Sequence, residues 1–357
     1  VQHEVEVEPG VTVWVEDLPP VEGAAPAAPM LLVAGGDETG LGRWPDPLVD
    51  LLRARHRVIR YDHRDTGRSA HRFDEHPYRL ADLADDALRV LDACGIDRVH
   101  AVGAALGGEL VQLLALDHPD RLVSAALLAT TALETAAPET AAPETADPYT
   151  AGPYTAGPEP AGPDTSALET AAPATADPDP DPADPADPAM PVPGPSAAAL
   201  PGPSRDVLRM RQEVQDPRDE RGELAWRVEF RRRLCGGVLP FDRAEHAALE
   251  RAVLAHSGRI EPSTAHAAEA DPVGLDRGAE LGAITVPTLV VEAPEDPVYP
   301  PPHARSLAAR IGRAARTVTI EGMGHLLPAV VHEPLAALLL DHAAGAGEPV
   351  TSQPTQR

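Results

Sequence analysis

The stretch His100 to Gly108, HAVGAALGG, has the pattern of a strand running into a glycine-flanked turn and then a helix. Gly103 and Gly107 stand two residues either side of Ala105, a spacing that permits a sharp turn lifting the central side chain above a sheet at a helix N-terminus. Such a turn normally presents a nucleophile. Alanine has no lone pair with which to attack a carbonyl, so Ala105 marks a nucleophile position without a nucleophile. Glycines also serve close helix–strand packing, and the turn gains meaning from two later residues. Asp296, in VVEAPEDPVY, and His325, in EGMGHLLP, each follow an apolar run near the C-terminus. Alone, a loop aspartate is commonly a turn former and a lone histidine is packed or exposed. In the order turn, acid, histidine, all three fall at the carboxyl ends of parallel strands, where separate loops converge on one crevice. An aspartate that orients a histidine gives a general base. The Gly35-Gly36 turn after MLLVA adds backbone N–H groups which, with that of Leu106, could converge on a developing oxyanion.

The elements needed to position these residues are legible. From Val11 to Ser124 short apolar runs (VTVWVE, MLLVAGG, HRVIRYD, RVHAVGA, RLVSAALLA) alternate with helical patterns such as RLADLADDALRVLDACG. Short strands buried on both faces and separated by helices predict an α/β fold with a mostly parallel sheet and helices on both faces. The same alternation returns in TVPTLVVEAPED, HARSLAARIG, RTVTIEGMGH and EPLAALLLDHA. One core is therefore expected in two halves, 1–131 and 277–345, with a tail over 346–357 expected to be disordered. Between the halves, residues 132–203 hold 18 of the 41 prolines and repeat a five-residue unit, ETAAP ETAAP ETADP YTAGP YTAGP. Proline at that density forbids helix and blocks sheet pairing, and few large apolar residues offset ordering entropy, so a disordered or polyproline-like tether is expected there. Residues 204–276, including ELAWRVEFRRRLCGG and FDRAEHAALERAVLAHSG, read as an inserted helical cap over the site.

Composition narrows the function classes. The formal charge of −26, with 56 acidic and 30 basic residues, argues against nucleic acid and anionic membrane as partners and favours a small-molecule substrate. Cys94 and Cys235 have no metal-ligand spacing, no G-x-G-x-x-G follows a strand and no acidic metal loop occurs. Neither a cofactor nor a metal is expected. No run reaches the length of a membrane span and the N-terminal VQHEVEVEPG lacks signal-peptide order, so the expected location is cytoplasmic.

The chain resembles the methyl esterases of anthracycline biosynthesis, of the aclacinomycin and rhodomycin type, within the α/β-hydrolase superfamily. The resemblance rests on GLGRWPDPLVDLL, HRVIRYDHRDTGRS, DEHPYRLADLADDALRVLDACGIDRVHAVG, ALDHPDRL, VLPFDRAEHAALERAVLAHSG, VPTLVVEAPEDPVYPPPHA and IEGMGHLLPAVVHEPLA. They cover most of residues 10–131 and 204–342. HRDTGRS together with GMGHLLP is the most specific part. The resemblance implies an α/β-hydrolase fold, places the family's acid and histidine on Asp296 and His325 and its oxyanion amides on Gly36 and Leu106, and puts its serine on Ala105. It also implies a substrate: a methyl ester or related carboxyl group on a planar aromatic polyketide. The proline-rich repeat lies outside the family pattern.

Without the serine, covalent acyl-enzyme chemistry is lost, and several orders of magnitude in rate with it. Cys94 precedes the strand of the turn and Ser124 sits within another strand, so neither replaces the serine; Glu109, one helical turn on, and Asp37, beside Gly36, are carboxylates that could join the crevice. Three readings follow. His325 could act as a base without a covalent step, in hydrolysis (as a residual methyl esterase), lyase or cyclisation chemistry. The protein could be a non-catalytic pseudo-hydrolase that binds an aromatic metabolite. Ala105 could also be an engineered replacement in an ordinary esterase, the last-placed reading because the long repeat is retained. Trp226, Phe230 and Phe241 could stack on a planar ligand, or simply pack the cap.

Overall fold

The computed structural model describes residues 1–25, 27–134, 200–260 and 265–347. The proline-rich segment lies outside the described residues except for 132–134 and 200–203, and so does the expected tail beyond Gly347. Eight strands form one sheet: β1 (Gln2–Glu8), β2 (Val11–Leu18), β3 (Met30–Val33), β4 (Val58–Tyr61), β5 (Val99–Ala104), β6 (Leu122–Leu128), β7 (Thr288–Glu292) and β8 (Ala315–Thr319), in the order β1-β2-β4-β3-β5-β6-β7-β8. β1 and β2 run antiparallel to their neighbours and the other six are parallel. β1 was not apparent as a strand from sequence: in QHEVEVE only Val5 is fully buried, as befits an edge strand with little apolar content.

Alternation along the inner strands sends side chains to two cores. Leu31, Val33, Ala101, Leu127 and Val290 face a layer containing α3 (Asp82–Ala93), α4 (Leu106–Asp117) and α8 (His303–Ile311). Met30, Leu32, Val102, Leu128 and Val291 face the opposite layer, with α2 (Asp46–Arg53) and α9 (Ala329–Gly347). A four-residue turn of helix, α1 (Gly40–Arg43), precedes α2.

The cap contributes α5 (Arg205–Gln212), α6 (Glu220–Leu234) and α7 (Arg243–Ser257). Each starts on an oxygen-bearing cap that occupies otherwise unpaired helix amides: Ser204, Asp219 and Asp242 accept from Val207, Gly222 and Ala244. Gly258, at φ 64°, ends α7 in the left-handed conformation common past a helix C-terminus. The helical pattern therefore stops short of residue 276; one turn of π-helix at Ala265–Glu269 follows. Val207, Leu234 and Cys235 of the cap pack with Val298 and Leu326, which lie beside Asp296 and His325 in sequence. His256 on α7 meets the fully buried Asp62 at 2.6 Å. At the ends of the insertion, His303 holds both flanks: its Nε2 donates to the Pro201 carbonyl and its Nδ1 meets the Thr131 hydroxyl, each at 2.8 Å.

Candidate active site

Ala105 joins β5 to α4 with φ 51° and ψ −125°, a conformation that costs a non-glycine residue on the order of 1–3 kcal/mol and persists only when its surroundings enforce it. They do so here by close approach. A Cβ on Gly103 would collide with the Gly107 carbonyl, and one on Gly107 would collide with the Val33 carbonyl. The Ala105 amide donates to Leu128 O at 3.1 Å, and its carbonyl accepts from Thr130 Oγ1 at 2.7 Å and Gly108 N at 2.9 Å. The turn thus has the geometry of a nucleophile elbow carrying a methyl group.

The acid and the histidine come together beyond β7 and β8. His325 Nδ1 lies 3.0 Å from both Asp296 oxygens, and Asp296 Oδ1 also accepts from Val298 N at 2.8 Å and Tyr299 N at 3.0 Å. Both residues are buried. Burial pushes the Asp296 carboxyl up, but the His325 charge and hydrogen bond, with the Tyr299 and Val298 amides, outweigh it and hold the group below its ordinary value. With Nδ1 donating to the carboxylate, the lone pair is on Nε2, for which there is no hydrogen-bond partner among the described residues. The histidine loop is fixed from two sides: His325 N donates to Leu234 O at the end of α6 at 2.7 Å, and Arg43 Nη1 donates to His325 O at 2.8 Å.

The glycine turn after β3 lies against the elbow. A Cβ on Gly36 would stand 3.3 Å from Leu106 Cδ2, and one on Gly35 would stand 3.2 Å from the Ala105 methyl. Among the described residues neither the Gly36 nor the Leu106 amide donates to another protein group, which leaves both available to a substrate oxygen. Asp37, the next residue, is engaged with His266: Asp37 N donates to His266 Nδ1 and Asp37 Oδ1 accepts from His266 N, each at 3.0 Å. Burial, with His63 nearby, pushes His266 down to about 3, so its ring is neutral and can accept.

Glu109 is buried rather than facing solvent, and Tyr299 Oη lies 3.5 Å from its Oε1. Burial raises its carboxyl to about 8, partly opposed by that contact. Tyr299 also lies beside His325, the two rings tilted at 46° with centroids 5.9 Å apart. Ser124 hydrogen-bonds His100 within the sheet at 2.8 Å, while Cys235 lies 3.9 Å from His246 Nε2 with its thiol pushed up to about 11 by burial. Neither supplies a nucleophile. Both cysteines are free. The cap aromatics have protein neighbours: Phe241 stacks on His246 at 4.2 Å, Trp226 contacts Phe230 and the Arg218 guanidinium, and Phe230 and Phe241 pack against the cluster of Val207, Leu234, Cys235, Val298 and Leu326. Arg43, Glu38 and Tyr299 escaped sequence reasoning; Arg43 reaches a carbonyl 282 residues away, a contact with no local signal. Among the described residues no group of His, Cys, Asp or Glu could hold a metal ion, and no helix is long and apolar enough to cross a membrane.

Residues 28–329 match the α/β-hydrolase fold family. Over 341 residues the chain is 40% identical to rhodomycin D methylesterase DauP of Streptomyces sp. (strain C5), spanning 94% of this chain and 96% of the relative. Rhodomycin D methylesterase DnrP of Streptomyces peucetius is 39% identical over the same shares. The crystal structure of an enol-lactonase from Burkholderia xenovorans LB400 superposes with a TM-score of 0.63 at 19% identity, covering 96% of this chain and all (100%) of that one. It shares the fold.

Proposed function

This chain belongs to the α/β-hydrolase family and is related to the anthracycline methylesterases, and from that premise we propose that it acts on a carboxyl ester of a planar aromatic polyketide through His325 as a non-covalent general base. The carrying observation is the Asp296–His325 pair: a buried carboxylate contacts Nδ1 with both oxygens at 3.0 Å, fixing the tautomer that leaves Nε2 basic. In this reading His325 takes a proton from water as the water oxygen bonds to the ester carbonyl carbon. The Gly36 and Leu106 amides receive the oxyanion. Collapse breaks the bond to the methoxy oxygen, which leaves as methanol with the proton returned by His325. The relatives are named as methylesterases of rhodomycin D, which supports the substrate class. The same base could instead abstract an acidic C–H, giving lyase or cyclisation chemistry on a related substrate.

The test compares the unaltered chain, Ala105→Ser and His325→Ala on p-nitrophenyl acetate and methyl anthraquinone-2-carboxylate. Slow hydrolysis by the unaltered chain that falls about 100-fold or more in His325→Ala is expected, with Ala105→Ser faster by several orders of magnitude, since a serine and its base act as a unit. Hydrolysis indifferent to His325, or seen only in Ala105→Ser, would make the native protein a binder of aromatic metabolites.

A further inference from the structure

A water that attacks in place of a serine hydroxyl needs a group to hold it at the elbow. Three groups converge beside the Gly35 α-carbon. A methyl built there would lie 2.7 Å from Glu38 Oε2, 3.2 Å from the Ala105 methyl and 3.4 Å from Arg43 Nη2. The Glu38 carboxylate and the Ala105 methyl therefore flank the same α-carbon of the oxyanion turn. It is fixed there by Arg43, whose Nε donates to Glu38 Oε2 at 2.7 Å and whose Nη1 donates to the carbonyl of His325 at 2.8 Å. The Arg43 side chain is buried, at 1% exposure, while that of Glu38 retains 26%. Glu38 Oε1 has no hydrogen-bond partner among the described residues. One guanidinium thus ties a carboxylate on the oxyanion turn to the backbone of the catalytic base, and leaves the second carboxylate oxygen without a protein partner among the described residues.

Resting on the His325 base reading, we infer that Glu38 is the water-positioning residue of this site, accepting one hydrogen bond from the nucleophilic water while His325 removes the other proton. The water oxygen bonds to the ester carbon and keeps the hydrogen directed at Glu38. His325 carries the second proton to the departing methoxy oxygen, so ester and water become acid and methanol with nothing else consumed. Glu38 takes up no proton in the step and keeps its bond to Arg43. A serine would bring its own oxygen to this place and would need no such anchor for its first step, which is why a carboxylate here complements alanine at 105 in particular.

Glu38→Gln keeps the shape and an oxygen for Arg43 but weakens acceptance from water. Its effect is measured in two backgrounds, the unaltered chain and Ala105→Ser, with His325→Ala alongside and thermal melts confirming folding. In the unaltered chain kcat for p-nitrophenyl acetate is expected to fall about 100-fold with KM held within about 3-fold. In Ala105→Ser, where the attacking oxygen belongs to the protein, the p-nitrophenol burst is expected to fall at least about 10-fold less than that. Glu38→Asp, which withdraws the carboxylate by one methylene, is expected to fall between the two. An equal loss in both backgrounds would reduce the Glu38–Arg43 pair to a scaffold for the histidine loop, and no loss in either would remove it from the chemistry; both overturn the inference while leaving the His325 base intact. Hydrolysis that ignores His325→Ala would instead overturn the base reading and the water-positioning role with it.

Discussion

Glu109 shows how one buried side chain can tie stability to pH. Its carboxyl is raised to about 8, while in the unfolded chain it titrates near about 4.3. Between those values the folded chain holds a proton that the unfolded chain has released, so stability falls as pH rises through the window and levels off above about 8. The slope from one such group is at most about 1.4 kcal/mol per pH unit. Glu109→Gln is expected to flatten denaturant-derived stability between pH 5 and 8 and to make the variant the more stable protein at about pH 8; parallel pH profiles for the two would contradict the raised value. Residue by residue, Ala105, Asp296 and His325 could be read from sequence because each stands in a loop directly after an apolar run, with glycines marking the turn. Glu38 and Arg43 could not: their spacing of five suggests a local ion pair, and nothing in GGDETGLGRW reports that the guanidinium ends on the histidine loop.

At the scale of elements, polar contacts add to the apolar packing that holds the cap to the core. Asp62, fully buried after β4, accepts from Gly40 N at 2.8 Å and Arg68 N at 2.9 Å and also meets His256 of α7. Arg231 of α6 adds a bond to the Gly42 carbonyl at 3.2 Å and an ion pair with Glu250. Replacing Asp62 by Asn turns one acceptor into a donor facing other donors, a loss on the order of 1–3 kcal/mol. Hydrogen exchange should then quicken first in α7 (243–257), ahead of β5 and β6; uniform acceleration would show that Asp62 serves the core turn rather than the cap. The strands of the core were legible because runs such as MLLV are apolar at every position, the mark of burial on both faces. β1 was not, since a polar edge strand lacks that mark, and neither was the end of the cap helices, where Gly258 stops a pattern whose alanine-rich continuation still suits helix.

For the molecule as a whole, the flanks of the inserted segment are anchored to the core. Leu133 is fully buried and its carbonyl accepts from Arg277 N at 3.2 Å, Glu134 pairs with Arg310, and His303 binds both Thr131 and Pro201. A version in which residues 136–199 give way to a Gly-Ser linker of about ten residues, enough to span about 30 Å, is expected to melt within a few degrees of the full chain and to keep the same hydrolysis. A large fall in melting temperature would assign the segment a part in the fold. The His303 clasp fixes both ends of the insertion on one side chain. Where two ends are pinned, each doubling of the length between them costs only about 0.6 kcal/mol by loop-closure entropy, so one five-residue unit more or less is a small term. A change in repeat number alters only the chain between two fixed points, whereas a change at His303 removes the ring on which both flanks meet.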